Sequence, residues 1–387
     1  MTLLNRVTPY NDESLFSFLH RATTKNYYIL KWVYDIADMD NIRKDKPYAN
    51  FAKLEEIKDI AKFTDQPLDN LYNMTFHKYA KYFIDKRDFE KTHLSRPYFK
   101  NGYKLSPHIS NTKTKYCPHC LKEGLYHRLY WDINYVTVCL KHGTLLKDSC
   151  SKCSNELKTK HIVTGKHECG RELIDETNPQ VLQKSLTNQR YIQNLLKIHE
   201  DNIKMNYNEA IISLNERNFI KLLYRLVLIN YRVVFPQKDI QRKNDIFTNL
   251  NNKEVNNLLN NTMKVFTNFE DGLYKVLNKL TGNHSSSGYC GVYKATKGTL
   301  GLLTELDTDQ FSFVHEVLQD YFTEEWERSI LTGVKVIDGN KETMENRKYI
   351  GIRETKDKLK ISKRQTMFLL KNNIIKNIVK ETDDGIK

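Results

Sequence analysis

Residues 116–153 read YCPHCLKEGLYHRLYWDINYVTVCLKHGTLLKDSCSKC and hold five of the seven cysteines of the 387-residue chain. A sixth, Cys169, follows shortly, whereas Cys290 stands apart. Thiols crowded in this way indicate that one chemical task uses them together. The first residues show no basic segment before an apolar run, so we expect a cytoplasmic protein. In that reducing compartment paired cysteines more often bind metal than form disulfides.

The cysteines and histidines of this region form two sets of four, and each set opens on a C-x2-C pair. The first set comprises, in chain order, Cys117, Cys120, Cys139 and His142. The second comprises Cys150, Cys153, His167 and Cys169, with His161 open as an alternative to His167. Two thiols separated by two residues can grip one ion from a tight turn, and a second pair completes a tetrahedron. Thiolate and imidazole donors at this spacing are typical of Zn²⁺.

Both sets can fill four positions with protein donors, whereas a catalytic zinc ion keeps one position open for water. We therefore predict two structural Zn²⁺ ions and no enzymatic activity. Metal binding stabilises zinc-finger peptides by about 10–16 kcal/mol, so zinc removal is expected to unfold residues 116–175. A zinc-dependent nuclease or hydrolase is the weaker hypothesis, because the sequence has no H-E-x-x-H step. Glu123 and Asp132 are expected to be exposed surface acids.

Short amphipathic helices are predicted before the cysteine-rich region. The first follows an N-cap at Asn11 or Asp12, and its apolar stripe consists of Leu15, Phe18, Leu19 and Ala22. Further helices are expected over 28–37, around 54–61 and from residue 68 onward. Within the cysteine-rich region, residues 135–138 (YVTV) are predicted to form a strand.

Residues 91–116 combine basic and aromatic side chains and contain no acid. Arg96, Lys100 and Lys104 are candidate contacts to nucleic-acid phosphates, and the neighbouring tyrosines could stack on bases. RNA and DNA suit such a stretch equally. The alternative is a solvated connector with a few packed rings.

The charge balance favours an anionic partner. The chain has 61 Lys and Arg against 47 Asp and Glu, a net charge of +14 and a pI near 9.2. Residues 222–229 (LLYRLVLI) form the most apolar run, which is too short to span a membrane and is expected to be a buried helix. Helical spacing continues to about residue 345, interrupted by a predicted flexible loop at 284–288.

The last forty residues show helix-turn-helix spacing. One helix is predicted over 353–360, and a second is capped by Ser362 and ends near Asn372. Residues 358–380 carry seven Lys and Arg and no acid. The candidate nucleic-acid contacts here are Lys358, Lys360, Lys363, Arg364, Gln365, Thr366 and Lys371. A packed helical hairpin that ends the fold is the alternative.

The cysteine-rich stretch resembles the zinc-binding core of the TniQ/TnsD family of target-selection proteins of Tn7-like transposons. The matching features are the C-P-x-C step at 117–120, the Tyr-His-Arg step at 126–128, the C-x-x-H step at 139–142 and the C-x-x-C step at 150–153. Residues 9–21 are similar to the family's N-terminal motif, with Pro9, Glu13, Ser14, Leu15 and Arg21 in place. His167 departs from the usual C-x-C-G completion of the second site. The resemblance covers roughly residues 7–175.

The resemblance implies an adaptor that is not an enzyme. Such proteins connect a chosen DNA target to an AAA+ ATPase regulator of the TnsC type, which recruits the transposase. Some members read an attachment site directly, and others bind an RNA-guided CRISPR effector complex; a homodimer and a nucleoid location are compatible with either mode. A zinc-stabilised helix-turn-helix transcription regulator is the alternative function.

Together these patterns predict a mainly α fold in four parts. Residues 1–115 form a helical domain with the basic connector, and 116–175 form a zinc-ribbon or zinc-finger-like module with two zinc sites. Residues 176–345 form a second helical domain, and 346–387 form the basic helix-turn-helix segment.

Overall fold

A computed structural model of the chain describes most of its residues. The described residues are 3–37, 39, 48–84, 107–110, 113–200, 203–238, 246–282, 300–325, 355–356, 359–372 and 374–375. They are mainly helical, as predicted, and divide into two compact units. The first unit comprises 1–206, 215–221 and 239–263, and the second comprises 207–214, 222–238 and 264–387. The predicted division into four parts stays a prediction.

The first unit begins with short helices, of which the first four share one apolar core. They are α1 (Leu15–Lys25), α2 (Leu30–Ile36), α3 (Leu54–Thr64), α4 (Leu68–Asn73) and α5 (His77–Phe83). The predicted stripe of α1 is confirmed, since Leu15, Phe18, Leu19 and Ala22 are all buried in this core. Burying one such Leu or Phe side chain stabilises the fold by about 1.5–3 kcal/mol.

The N-cap of α1 differs from the prediction. Ser14, not Asn11 or Asp12, accepts the backbone N–H of Ser17. Asp12 instead uses its carboxylate to accept a hydrogen bond from Tyr126 at 2.9 Å. Asp12, which the local pattern predicted as a possible cap, therefore makes a long-range hydrogen bond instead.

The cysteine-rich region follows with little regular structure. It contains α6 (Pro118–Glu123), a 3₁₀ turn (Leu129–Asp132) and α7 (Thr159–Thr164). Its hairpin pairs β1 (Val138–Cys139) with β2 (Thr144–Leu145), in the antiparallel register Val138 to Leu145 and Cys139 to Thr144. Its largest buried ring is that of Trp131. Because this region has few helices and strands, its stability must come from other contacts.

The predicted strand over 135–138 is wrong except for its last residue. The side-chain amide of Gln189 takes the place of a neighbouring strand: its oxygen accepts the Thr137 N–H at 2.9 Å, and its nitrogen donates to the Tyr135 carbonyl at 3.0 Å. Gln189 belongs to α8 (Gln183–Leu195), whose buried face is mostly polar. Asn188 of the same face donates to Asn260 at 2.8 Å. Amide hydrogen bonds thus attach α8 to the cysteine-rich region and to residues 256–260.

The later part of the described chain is built from helices. After α9 (Glu209–Ile212) come the long helices α10 (Glu216–Val234), α11 (Asn252–Thr267) and α12 (Phe269–Gly282). Residues 216–221 of α10 and 252–263 of α11 belong to the first unit. The shorter ones are α13 (Gly301–Thr304), α14 (Ser312–Asp320) with its π-helical continuation (Tyr321–Glu325), and α15 (Lys363–Lys371). Residues 222–229 are helical and mostly buried, as predicted. Across the described part of the chain, no helix is both long and apolar enough for a bilayer.

The contact between α11 and α12 depends on a glycine. A Cβ atom built on Gly272 would lie 2.8 Å from the Val265 Cα and 2.9 Å from its carbonyl oxygen. Because these are backbone atoms, no side-chain rotation could relieve the clash. The predicted loop at 284–288 and Cys290 lie outside the described residues.

Candidate metal centres

The first donor cluster joins α6 to the hairpin. Cys117 precedes α6 as its N-cap, Cys120 lies on it, Cys139 ends β1 and His142 lies in the turn before β2. Proline at the first position of α6 suits the tight turn that aims both thiols at one point. The donor atoms, including Nδ1 of the histidine, all lie within 4.8 Å of one another.

The geometry of this first cluster fits a tetrahedral zinc ion. His142 Nδ1 lies 3.5 Å from Cys117 Sγ and 3.4 Å from Cys120 Sγ, and the Cys120 and Cys139 sulfurs are 3.6 Å apart. Zinc bonds of about 2.3 Å to sulfur and about 2.0–2.1 Å to nitrogen give tetrahedral edges of roughly 3.5–3.8 Å. Three buried thiols and one imidazole with these spacings are therefore a donor set suited to Zn²⁺.

The second donor cluster lies on either side of α7. Cys150 Sγ and Cys169 Sγ are 3.5 Å apart, and His167 Nδ1 lies 3.5 Å from Cys153 Sγ. Cys153 and Cys169 are each followed by a residue with positive φ, namely Ser154 at 59° and Gly170 at 84°. These left-handed turns reverse the chain directly after a donor. The cluster thus has the four donors that the sequence predicts, again at spacings that fit Zn²⁺.

His161, the alternative fourth donor, has another role in the structure. Its Nδ1 accepts the Lys158 N–H at 3.1 Å at the start of α7. Its ring packs edge-on against His167, with the centroids 4.5 Å apart. The donor atoms that lie together are those of His167 and the three cysteines, whereas the His161 ring packs beside His167.

The two clusters differ in exposure. The three thiols of the first cluster are buried, whereas Cys153 and Cys169 of the second are half-buried. A hydrogen bond from the Arg171 backbone N–H lowers the pKa of the Cys169 thiol to about 6. Both clusters offer four protein donors, a composition typical of structural zinc sites.

A buried polar network lies beside the first cluster. His127 Nδ1 lies 2.9 Å from Ser14 Oγ, and its Nε2 lies 3.1 Å from Asp132 Oδ1 and 2.8 Å from Thr114 Oγ1. Asp132 is fully buried, so the expectation that it is an exposed acid was wrong: its carboxylate is sheltered because His127 and Thr114 hydrogen-bond it. A serine, a histidine and an aspartate meet here, but all are buried and Ser14 is a helix cap. The network therefore holds segments together and does not form a nucleophilic site.

The N-terminal motif forms a buried ion pair. The Glu13 carboxylate, which is fully buried, accepts from the Arg21 guanidinium at 2.6 and 2.8 Å. Arg21 lies over the Tyr10 ring at 4.2 Å, and Tyr10 stacks on Tyr126 at 4.4 Å. The Arg128 guanidinium also lies over the Tyr126 ring, 4.3 Å from its centroid. The two motifs that are far apart in sequence thus meet in one stack of rings and guanidinium groups.

The basic residues of 91–116 are only partly described. Arg96, Lys100 and Lys104 lie outside the described residues. Lys113 donates to the carbonyls of Thr248 and Leu250, and buried Lys115 donates to the Ile133 carbonyl at 2.8 Å. Burial lowers the pKa of Lys115 to about 7. The end of the stretch therefore packs inside the first unit and does not form a phosphate-binding surface.

The C-terminal helix begins and ends as predicted. Ser362 caps α15 through a capping box with Gln365, and Asn372 is its C-cap. Among the candidate nucleic-acid contacts, the exposed side chains are those of Lys360, Lys363, Arg364, Gln365 and Lys371. Thr366 is fully buried and donates to the Ser362 carbonyl, so a direct contact to nucleic acid is not available to it. Lys358, half of the predicted preceding helix over 353–360 and most of the residues after 372 lie outside the described residues.

Comparison with known proteins adds one finding. Residues 4–146 match the family model named TniQ, a range that includes the Glu13–Arg21 ion pair, the His127 network and the whole first cluster. The curated proteins contain no match to the chain. Residues 4–146 therefore form a TniQ domain.

Proposed function

We propose that this protein selects the target site in Tn7-like transposition, as an adaptor between a chosen DNA address and the transposition machinery. The observation that carries the proposal is the TniQ match over residues 4–146, because the TniQ domain indicates a non-catalytic target-selection adaptor at the family level. The side chains that build the site support such a role, because they could hold metal ions and they form ion-paired contacts inside the protein.

Zinc would give this adaptor a rigid centre. Each cluster would bind one Zn²⁺ ion, the first through Cys117, Cys120, Cys139 and His142. The second ion would be held by Cys150, Cys153, His167 and Cys169. Because the region between residues 116 and 175 has few regular elements, metal binding would supply much of its stability.

Nucleic-acid contact would come from the basic segments. Lys363 and Arg364 are exposed in the first turn of α15, the position from which a recognition helix contacts DNA. Lys360 and Lys371 extend this basic surface, and Arg96, Lys100, Lys104 and Lys358 are further candidates from the sequence. The net charge of +14 would favour association with any nucleic acid.

The partners follow from the adaptor role. An AAA+ ATPase regulator would bind the protein and recruit the transposase, and an RNA-guided effector complex would be a second source of the address. A pull-down with an AAA+ ATPase regulator of the TnsC type tests this directly. Specific capture is expected, whereas its absence together with sequence-specific DNA binding would favour a zinc-stabilised transcription regulator.

The mode of targeting is tested by selection from a random duplex library with the zinc-loaded protein at physiological salt. Recovery of one sequence motif would mean that the protein reads its own attachment site. Recovery of no motif, with salt-sensitive binding only, would mean that a guide complex or another partner supplies the address.

A further inference from the structure

Glu123 connects the two halves of the first donor cluster. It is the last residue of α6, the helix that carries Cys120, yet its carboxylate reaches the hairpin turn. Its Oε1 lies 3.3 Å from His142 Nε2, and its Oε2 lies 2.6 Å from Lys141 Nζ. One carboxylate thereby spans from α6 to the segment that holds the histidine donor.

The direction of the hydrogen bond follows from the donor geometry. His142 faces the three thiols with its Nδ1, at 3.4–3.5 Å from their sulfur atoms. An imidazole that binds a metal through Nδ1 carries its proton on Nε2 and can donate it. The nearest acceptor is the Glu123 carboxylate, and a carboxylate in this position fixes the ring orientation and makes the imidazole a stronger donor.

His142 is also the ligand that most needs to be held. Its side chain is 21% exposed, whereas the three cysteines of the cluster are buried. A rotation of this ring would open the cluster toward solvent, while the thiols stay enclosed. Lys141 forms an ion pair with the other carboxylate oxygen of Glu123, and this contact limits the rotation of the Glu123 side chain.

We propose that Glu123 is a positioning residue of the first metal centre, which holds His142 in its metal-binding orientation and slows metal release from that centre. The proposal rests on the proposed zinc binding by the first cluster. Glu168 offers a matched comparison at the second cluster. It lies between the donors His167 and Cys169 in sequence, but it is 61% exposed and pairs with Lys160 and the non-ligand His161.

The test compares the full-length wild type with Glu123→Ala, Glu123→Gln and Glu168→Ala. Zinc content is measured first, and two ions per chain are expected. Zinc transfer to a chromophoric chelator is then followed over time. In Glu123→Ala, one of the two ions is expected to bind about 10–100-fold more weakly, and to leave correspondingly faster. Glu123→Gln should fall between this variant and the wild type, because its amide oxygen still accepts the hydrogen bond without the charge.

A second readout separates positioning from general stability. The visible spectrum of the cobalt-loaded protein reports the ligand geometry, and it should change in Glu123→Ala and stay unchanged in Glu168→Ala. Equal zinc transfer from Glu123→Ala and the wild type would overturn the proposal, as would an equal loss in Glu168→Ala. A wild-type protein that contains no zinc would overturn the metal proposal itself, which the first measurement reveals before any variant is compared.

Discussion

His127 and Ser14 hydrogen-bond each other through both side chain and backbone. His127 Nδ1 lies 2.9 Å from Ser14 Oγ, and the Ser14 N–H donates to the His127 carbonyl at 2.9 Å. The His127 N–H donates in turn to Ser17 Oγ at 3.0 Å. The start of α1 is thereby fixed to the segment that follows α6, across more than a hundred residues of sequence.

Replacing His127 should lower the free energy of unfolding. His127→Phe keeps a ring of similar size but leaves buried Asp132 and Thr114 without their shared partner, so we expect a loss of about 3 kcal/mol in the free energy of unfolding. Chemical denaturation of the metal-loaded protein measures it. The control is His20→Phe, a half-buried position on α1 for which a change below about 1 kcal/mol is expected. Equal effects of the two variants would contradict a special role for the network.

The amide of Gln189 makes a second testable contact. Gln189→Leu keeps the volume but leaves the Thr137 N–H and the Tyr135 carbonyl without partners, so we expect a loss of about 2–4 kcal/mol. Gln183→Leu, at the exposed first residue of α8, is the control and should change stability by no more than about 0.5 kcal/mol. A small effect at Gln189 would mean that water replaces its two hydrogen bonds.

Local patterns predicted the parts of the fold that depend on neighbouring residues. The apolar stripe of α1 and the cap of α15 at Ser362 follow from spacing over a few residues, and both are confirmed. The two C-x2-C pairs likewise identify donors that converge in the structure, because a tight turn alone brings such thiols together.

Errors arose where the partner is distant in sequence. Asp132 reads as a surface acid until Thr114, which lies 18 residues before it, is placed beside it. Residues 135–138 read as a strand until Gln189 supplies their partners. Ser14 displaced Asp12 as the cap of α1 because Asp12 is engaged by Tyr126. The spacing of residues along a short stretch of sequence does not reveal these contacts. The choice between His161 and His167 also needed the position of α7.

The donor clusters give a prediction about metal content. Cys139→Ser should lower the zinc content from two ions per chain to one, because a hydroxyl is a poor substitute for a thiolate. Limited proteolysis should then cut within residues 116–175, since the segment loses its metal-derived stability. Cys290→Ser, a cysteine of neither C-x2-C pair, should keep both ions. Two ions in Cys139→Ser would contradict the assignment.

Gly272 and Gly301 of the second unit can be compared, because an added Cβ atom would clash at Gly272 and meet open space at Gly301. Gly272→Ala would place its Cβ 2.8 Å from the Val265 Cα, so α11 and α12 must separate and a loss of about 1–3 kcal/mol is expected. Gly301→Ala, at the start of α13, meets no atom within 4 Å and should be neutral or stabilising by up to about 1 kcal/mol. Thermal unfolding compares the two variants. If Gly272→Ala unfolds at the same temperature as the wild type, α11 and α12 do not pack as closely at this position as the distances to Val265 indicate.

The last prediction concerns the basic surface of α15. Replacing both Lys363 and Arg364 with Ala should weaken duplex binding and reduce the slope of log K against log salt by about one to two, because each phosphate contact releases close to one counterion. The control removes two exposed lysines of α3, Lys58 and Lys62, and should leave the slope unchanged. The free energy of unfolding should be the same in both variants, because all four side chains are exposed. Unchanged binding by the α15 variant would transfer the contact to residues 91–116, where Arg96, Lys100 and Lys104 are the next substitutions. An effect on one sequence alone, with no change in salt slope, would instead mean that these two side chains contact bases.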